Sequence, residues 1–125
     1  IKDNHIAGLA SDPHPVRKAV ELARAYPGNA GLPVEVEVDS LKQLEQVLPI
    51  RPEIVLLDNM TNDDMRSAVT IRNNLSPSTL LEASGGVNLQ TVRAIAETGV
   101  DRISIGAITH STPALDIALD FQSQK

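Results

Sequence analysis

Apolar residues recur along this chain with two alternating periods. Val34-Glu35-Val36-Glu37-Val38-Asp39 alternates strictly, the pattern of a strand with one covered face. Ile54-Val55-Leu56-Leu57, closed by Asp58-Asn59, is a second short apolar run, Leu80 to Ala83 a third, and Arg102-Ile103-Ser104-Ile105 a fourth. Between them the spacing becomes helical. Val16, Ala19, Val20, Leu22 and Ala23 predict a helix that Asp12-Pro13-His14-Pro15 starts and Tyr26-Pro27-Gly28-Asn29 stops. Ser40 is a predicted N-cap for a helix carrying Leu41, Leu44, Val47 and Leu48, which ends around Pro49 and Pro52. A helix from about Asp63 to Leu75 precedes the Ser76-Pro77 turn. Leu89, Val92, Ile95 and Ala96 predict another over 88–98, and Pro113 opens a last one carrying Ala114, Leu115, Ile117, Ala118 and Leu119.

Strand then alternates with helix at a spacing of 21 to 24 residues between the strand ends at Glu37, Asp58, Glu82 and Gly106. Such βα units imply parallel strands with right-handed crossovers, so all the strand ends lie at one edge of the sheet. Four strands, or five if Ile1 ends one, make about half of a closed barrel or most of a small open sheet. An open half-barrel exposes apolar faces, so further strands or a tight partner are expected. The chain is read as a piece of a longer polypeptide, because it starts without methionine in what looks like the polar end of a strand.

Composition narrows the function. The 125 residues hold no cysteine, which removes disulfide and thiol chemistry and fits a reducing compartment, here taken as the cytoplasm. The net charge of −5, without a basic cluster and with Tyr26 and Phe121 as the sole aromatics, argues against a nucleic-acid surface. No apolar run is long enough to predict a membrane helix. With dispersed basic residues, an anion must be held by a local nest.

Candidate chemistry gathers at the strand ends. Ser84-Gly85-Gly86 follows a strand and precedes a helical segment, and Gly106-Ala107 ends the next strand; together they suit an anion such as a phosphate, or make tight turns. His110 could add a donor there or cap a turn. Glu35, Glu37 and Asp39 share one strand face, with the valines packed against helices on the other. Glu37 is a candidate for binding hydroxyls or a cation; Asp39 also suits the start of the next helix. Asp58 could bind ribose hydroxyls, help position Mg²⁺, stabilise positive charge on a sugar carbon, or form a turn with Asn59. Lys2 is either a Schiff-base nucleophile or a fixed charge for a carboxylate, and His5 a possible acid or base. His5, His14 and His110 have no metal-ligand spacing, and His14 between prolines is read as solvated.

Ile-Lys-Asp-Asn-His-Ile at 1–6, Val-Glu-Val-Glu-Val-Asp at 34–39, Leu-Leu-Asp-Asn-Met at 56–60, Glu-Ala-Ser-Gly-Gly-Val at 82–87 and Ser-Ile-Gly-Ala-Ile-Thr-His-Ser at 104–111 together resemble the C-terminal half of the nicotinate-nucleotide pyrophosphorylase (carboxylating) family, the quinolinate phosphoribosyltransferases. The resemblance runs over essentially the whole chain. It implies an α/β fold, a partial, incomplete TIM-like barrel of consecutive βα units with parallel strands, preceded in the full protein by a sandwich domain and the first barrel strands. It also implies a homodimer in which one subunit's sandwich covers the other's barrel. The implied reaction makes nicotinate mononucleotide, pyrophosphate and CO₂ from quinolinate and phosphoribosyl pyrophosphate, with Mg²⁺ as cofactor. On the same basis Lys2 contacts the quinolinate carboxylate, and Glu37 and Asp58 serve the ribose, Mg²⁺ and the oxocarbenium-like transition state. Ser84, Gly85, Gly86 and Gly106 then surround the 5′-phosphate, with Asn4, His5 and His110 in support. Competing readings are a Schiff-base aldolase or synthase on a phosphosugar barrel, a phosphoribosyltransferase for another carboxylated base, and a non-catalytic barrel segment that acts only with a partner.

Overall fold

A computed structural model describes residues 1–110 together with 115 and 117; the helix predicted from Pro113 lies outside the described residues. Four parallel strands, β1 (Glu35–Val38), β2 (Ile54–Asp58), β3 (Leu80–Ser84) and β4 (Arg102–Ile103), form one sheet in the order β1-β2-β3-β4. Chain order equals spatial order, the arrangement of a barrel built by adding βα units in one direction. The fold is a parallel sheet with alternating helices, a partial TIM-like barrel.

The alternation read in β1 sorts its two faces. Val36 and Val38 are buried with Val55, Leu57, Leu81 and Ala83 of the next strands. Helices α2 (Pro15–Ala25), α3 (Leu41–Val47), α4 (Asn62–Leu75) and α5 (Val92–Ala96) cover that face through Val16, Val20, Leu44, Val47, Met65, Ala68 and Ile95. Each fully buried leucine, such as Leu44, Leu57 or Leu81, stabilises this layer by about 1.5–3 kcal/mol. Thr61 starts α4, its hydroxyl accepting the Asp64 N–H at 3.1 Å. Among the described residues, no helix covers the opposite face of the sheet. There Ile54 and Leu80 are half-buried beside the row Glu37, Leu56, Glu82 and Arg102 that the strand register lines up, Leu56 itself being half-buried.

Three segments depart from the sequence expectation. The stretch after Ile1 is a short helix, α1 (Asp3–Ala7), and not the polar end of a strand. Ile1 itself does extend the sheet: its amino group donates to Glu35 O at 2.6 Å, and Glu37 N–H donates to Ile1 O at 2.9 Å. That is the parallel bonding pattern, with Ile1 level with Val36. The helix predicted over 88–98 is shorter, since α5 starts only at Val92. The Asn88 side chain accepts the N–H groups of Gln90 and Thr91 at 2.9 and 3.1 Å and makes a turn of what periodicity reads as helix. Leu89 is accordingly 91% exposed. Strand β4 closes at Ile103, two residues earlier than predicted. Among the described residues, no helix is long and apolar enough to cross a membrane.

Candidate functional site

The C-terminal edge of the sheet holds two adjoining depressions of opposite character. The first, about 340 Å³, is lined by Asp3, Ile6 and Ala7 of α1, Glu37 and Asp39 from β1 and beyond it, Gln43 of α3, and Asp58 at the end of β2. Among the described residues, four carboxylates and no cation line it, so it favours hydroxyl donors, cations or a carbon on which positive charge develops. Glu37 is level with Leu56, so Asp58 stands two residues further along the neighbouring strand, on the same face. From strand rise and spacing their Cα atoms are roughly 8 Å apart, which puts the two carboxylates on one substrate without direct contact. Asp39 N–H donates to Gln43 Oε1 at 3.0 Å, so the start of α3 is tied by Gln43. Ser40 is the N-cap residue of α3, as the sequence predicts, although its hydroxyl makes no capping bond.

The second depression, about 330 Å³, is lined by Ser84, Gly85, Gly86, Val87, Ser104, Gly106, Ala107 and His110. Gly85 and Gly86 have φ of +89° and +61°, in the left-handed region that favours glycine. Successive residues in such conformations point their N–H groups toward one side, and the N–H groups of Gly85, Gly86 and Val87 meet no acceptor among the described residues. Helix α5 plays no part in this nest, because the Asn88 turn separates it from the glycines. The His110 imidazole packs over Gly106, where an added Cβ would lie 2.6 Å from Nε2. The two depressions meet where Asp58 pairs in register with Ser84.

The N-terminal residues divide. Ile1 being level with Val36, Lys2 comes level with Glu37, exposed at the N-cap of α1. Among the described residues, no apolar enclosure of the kind that activates a Schiff-base lysine surrounds Lys2. Asp3, Ile6 and Ala7 are the face of α1 that borders the acidic cleft, and Asn4 and His5 are not among its lining residues. His5 instead borders a groove with Leu9, Ala19 and Leu22, and its Nδ1 accepts the Lys2 N–H at 3.0 Å. That bond gives His5 a structural duty, closing the first turn of α1 and fixing the backbone of Lys2. His14 is exposed, with its N–H donated to Asp12 Oδ1 at 2.8 Å.

Two residues beside the site, Glu82 and Asn59, lie within the motifs at 82–87 and 56–60 but receive no role from them. Glu82 points from β3 to the open face, accepts the Ser104 hydroxyl at 2.8 Å and lies 4.0 Å from Arg102 Nη1, which steadies the β4 end of the nest. Alternation within β3 puts Glu82 on the face of Ser84, and that is the signal that could have found it. Asn59 carries φ of 52° and sends its N–H to Ser84 O at 2.9 Å.

As for a metal, no cluster of three or more His, Asp or Glu side chains forms a cage among the described residues. Glu37 and Asp58 do share one acidic cleft. That suits Mg²⁺ bound by one or two carboxylates together with substrate phosphates, and does not suit an ion held by protein alone.

Comparison with known proteins adds to this geometry. Residues 1–120 match the family described as quinolinate phosphoribosyl transferase, C-terminal domain. The nicotinate-nucleotide pyrophosphorylase [carboxylating] of Mycobacterium leprae (strain TN) is 46% identical over 120 residues, covering 96% of this chain and 40% of that protein. Its counterpart from Homo sapiens is 35% identical over 119 residues, covering 95% and 38%. The solved structure of nicotinate-nucleotide pyrophosphorylase from Francisella tularensis superposes with a TM-score of 0.74 at 39% identity, covering 93% of this chain and 37% of that one. The chain thus spans about two fifths of the length of the curated relatives it matches.

Proposed function

The chain belongs to the quinolinate phosphoribosyl transferase C-terminal domain family, and from that membership we propose that the protein carrying it makes nicotinate mononucleotide from quinolinate and phosphoribosyl pyrophosphate. The observation that carries this reading is the register pair Asp58–Ser84, which joins an acidic cleft to a glycine nest. A phosphoribosyl group has that same polarity, a phosphate at one end and, at the other, a carbon that becomes positive as pyrophosphate leaves.

In this reading the 5′-phosphate sits at Ser84, Gly85, Gly86 and Gly106, with His110 beside it, and backbone N–H groups carry most of its charge. Glu37 takes ribose hydroxyls, and Asp58 faces the anomeric carbon. As the carbon–oxygen bond to pyrophosphate breaks and the quinolinate nitrogen bonds to that carbon, Asp58 stabilises the positive charge. The carboxyl adjacent to the ring nitrogen then departs as CO₂, and its bonding pair stays on the ring carbon, which takes up a proton. Lys2 receives a quinolinate carboxylate from above Glu37, with Asn4 in support and His5 holding Lys2 in place. Glu37 and Asp58 are the carboxylates that would hold Mg²⁺, which when bound would supply charge neutralisation for the departing pyrophosphate.

The chain is, in this proposal, the C-terminal part of the barrel domain. The sandwich domain and first barrel strands belong to the rest of the protein, which works as a homodimer in the cytoplasm. The half-buried Ile54, Leu56 and Leu80, on a face that no helix covers among the described residues, support a covering by further elements.

The test is Asp58→Asn in the full-length protein. Production of nicotinate mononucleotide at saturating substrates should fall about 100-fold while the KM for quinolinate stays nearly constant, because the charge acts in the transition state. An unchanged kcat contradicts the proposal.

A further inference from the structure

Asn59 makes more contacts than a turn needs. Its left-handed backbone, φ 52°, is one that asparagine tolerates and glycine adopts freely. Its carboxamide lies across Gly85 so closely that a Cβ on Gly85 would collide with Oδ1, and Nδ2 reaches Asp58 Oδ2 at 3.2 Å. The backbone N–H, at 2.9 Å from Ser84 O, would remain with any residue here. Turn formation therefore accounts for the backbone and leaves the carboxamide unexplained.

We propose that Asn59 is a positioning residue, whose carboxamide holds the Asp58 carboxylate and the Gly85 backbone as one unit. The inference rests on the role given above to Asp58. With one Asp58 oxygen tied by Nδ2, the other has a defined direction toward the ribose. The Gly85 backbone beneath the same amide keeps the phosphate nest at a fixed distance from it. Charge stabilisation depends on such orientation being in place before the reaction, and a displacement of about 1 Å lowers rates by up to 100-fold.

The test uses the full-length protein. Asn59→Gly preserves the left-handed backbone and the bond to Ser84 while removing the carboxamide. At saturating substrates kcat should fall about tenfold, with KM for quinolinate within about twofold and no loss of thermal stability. Asn59→Asp keeps the shape but sets a second carboxylate against Asp58, so its kcat should fall below that of Asn59→Gly. In thermal melts, Gly85→Ala should destabilise less when Asn59→Gly is also present, because the methyl then has room. A wild-type kcat for Asn59→Gly, an Asn59→Asp enzyme as active as wild type, or additive effects of the two substitutions on melting would each overturn the proposal. Asp58→Asn with wild-type kcat defeats instead the function assigned to Asp58; the melting cycle is read without activity, so the two ideas fail separately.

Discussion

The Arg72 guanidinium lies 2.7 Å from the Asp101 carboxylate, and the same Asp101 oxygen accepts the Leu81 N–H at 2.8 Å. Arg72 also donates to Thr79 O at 2.8 Å, so one ion pair ties α4 to the starts of β3 and β4. The arginine side chain is only 8% exposed. Removing its partner leaves a buried charge and a buried N–H without an acceptor. Asp101→Ala should therefore cost about 3 kcal/mol of stability, roughly 10 °C in Tm for a domain of this size. This network sits at the sheet edge opposite the candidate site, so kcat of the folded fraction should be preserved. Thermal unfolding combined with active-site titration measures both; a loss of Tm below about 2 °C would show the pair to be dispensable.

Glu53 gives the domain an acid-sensitive tie at that same edge. Burial alone would raise its pKa, but the Val34 N–H at 2.7 Å and the Arg24 guanidinium at 3.1 Å together hold it below the ordinary value of 4.5. A carboxyl depressed in the folded state adds stability that is complete above its unfolded pKa and disappears as pH falls through the folded value. Wild type should therefore be more stable than Glu53→Gln at pH 7, and the difference should shrink on acidification below about pH 4.5. Denaturant titrations of both proteins across that range measure it. A gap that widens toward low pH would reverse the sign and exclude the argument.

Much of the strand rhythm is legible in the sequence, whereas the ion-pair ties at this edge are not. The alternation at 34–39 correctly sent Val36 and Val38 to the helices and Glu37 to the open face, because in a strand side-chain direction follows from period alone. What escaped depends on contacts between distant residues. That Glu37 is level with Leu56, and Asp58 with Ser84, is a matter of register, which no local pattern encodes. The helix α1 was hidden because its first turn relies on a His5 ring nitrogen as acceptor, an unusual substitute for an acidic cap. The late start of α5 reflects a local competitor, the Asn88 side chain, that hydrophobic periodicity does not register. Neighbouring glycines in the nest likewise look alike in sequence and differ in cause.

Gly86 and Gly106 separate those causes. At Gly86 the backbone φ is +61° and a Cβ would meet nothing within 4 Å, so Gly86→Ala should cost about 1 kcal/mol of stability through backbone strain alone. Gly106 carries no such angle, but its Cβ would fall 2.6 Å from His110 Nε2 and 3.1 Å from Cε1, so alanine there must push the imidazole away. If His110 stands by the donor phosphate as proposed, Gly106→Ala should raise the KM for phosphoribosyl pyrophosphate about tenfold, the loss of one hydrogen bond to a charged group. Its Tm should move less than that of Gly86→Ala, since Gly106 has no left-handed backbone angle for alanine to strain. Steady-state kinetics with varied donor, alongside melting curves for both variants, would distinguish them. A Gly106→Ala enzyme with unaltered donor KM would remove His110 from the phosphate site and leave Ser84, Gly85 and Gly86 to hold that anion.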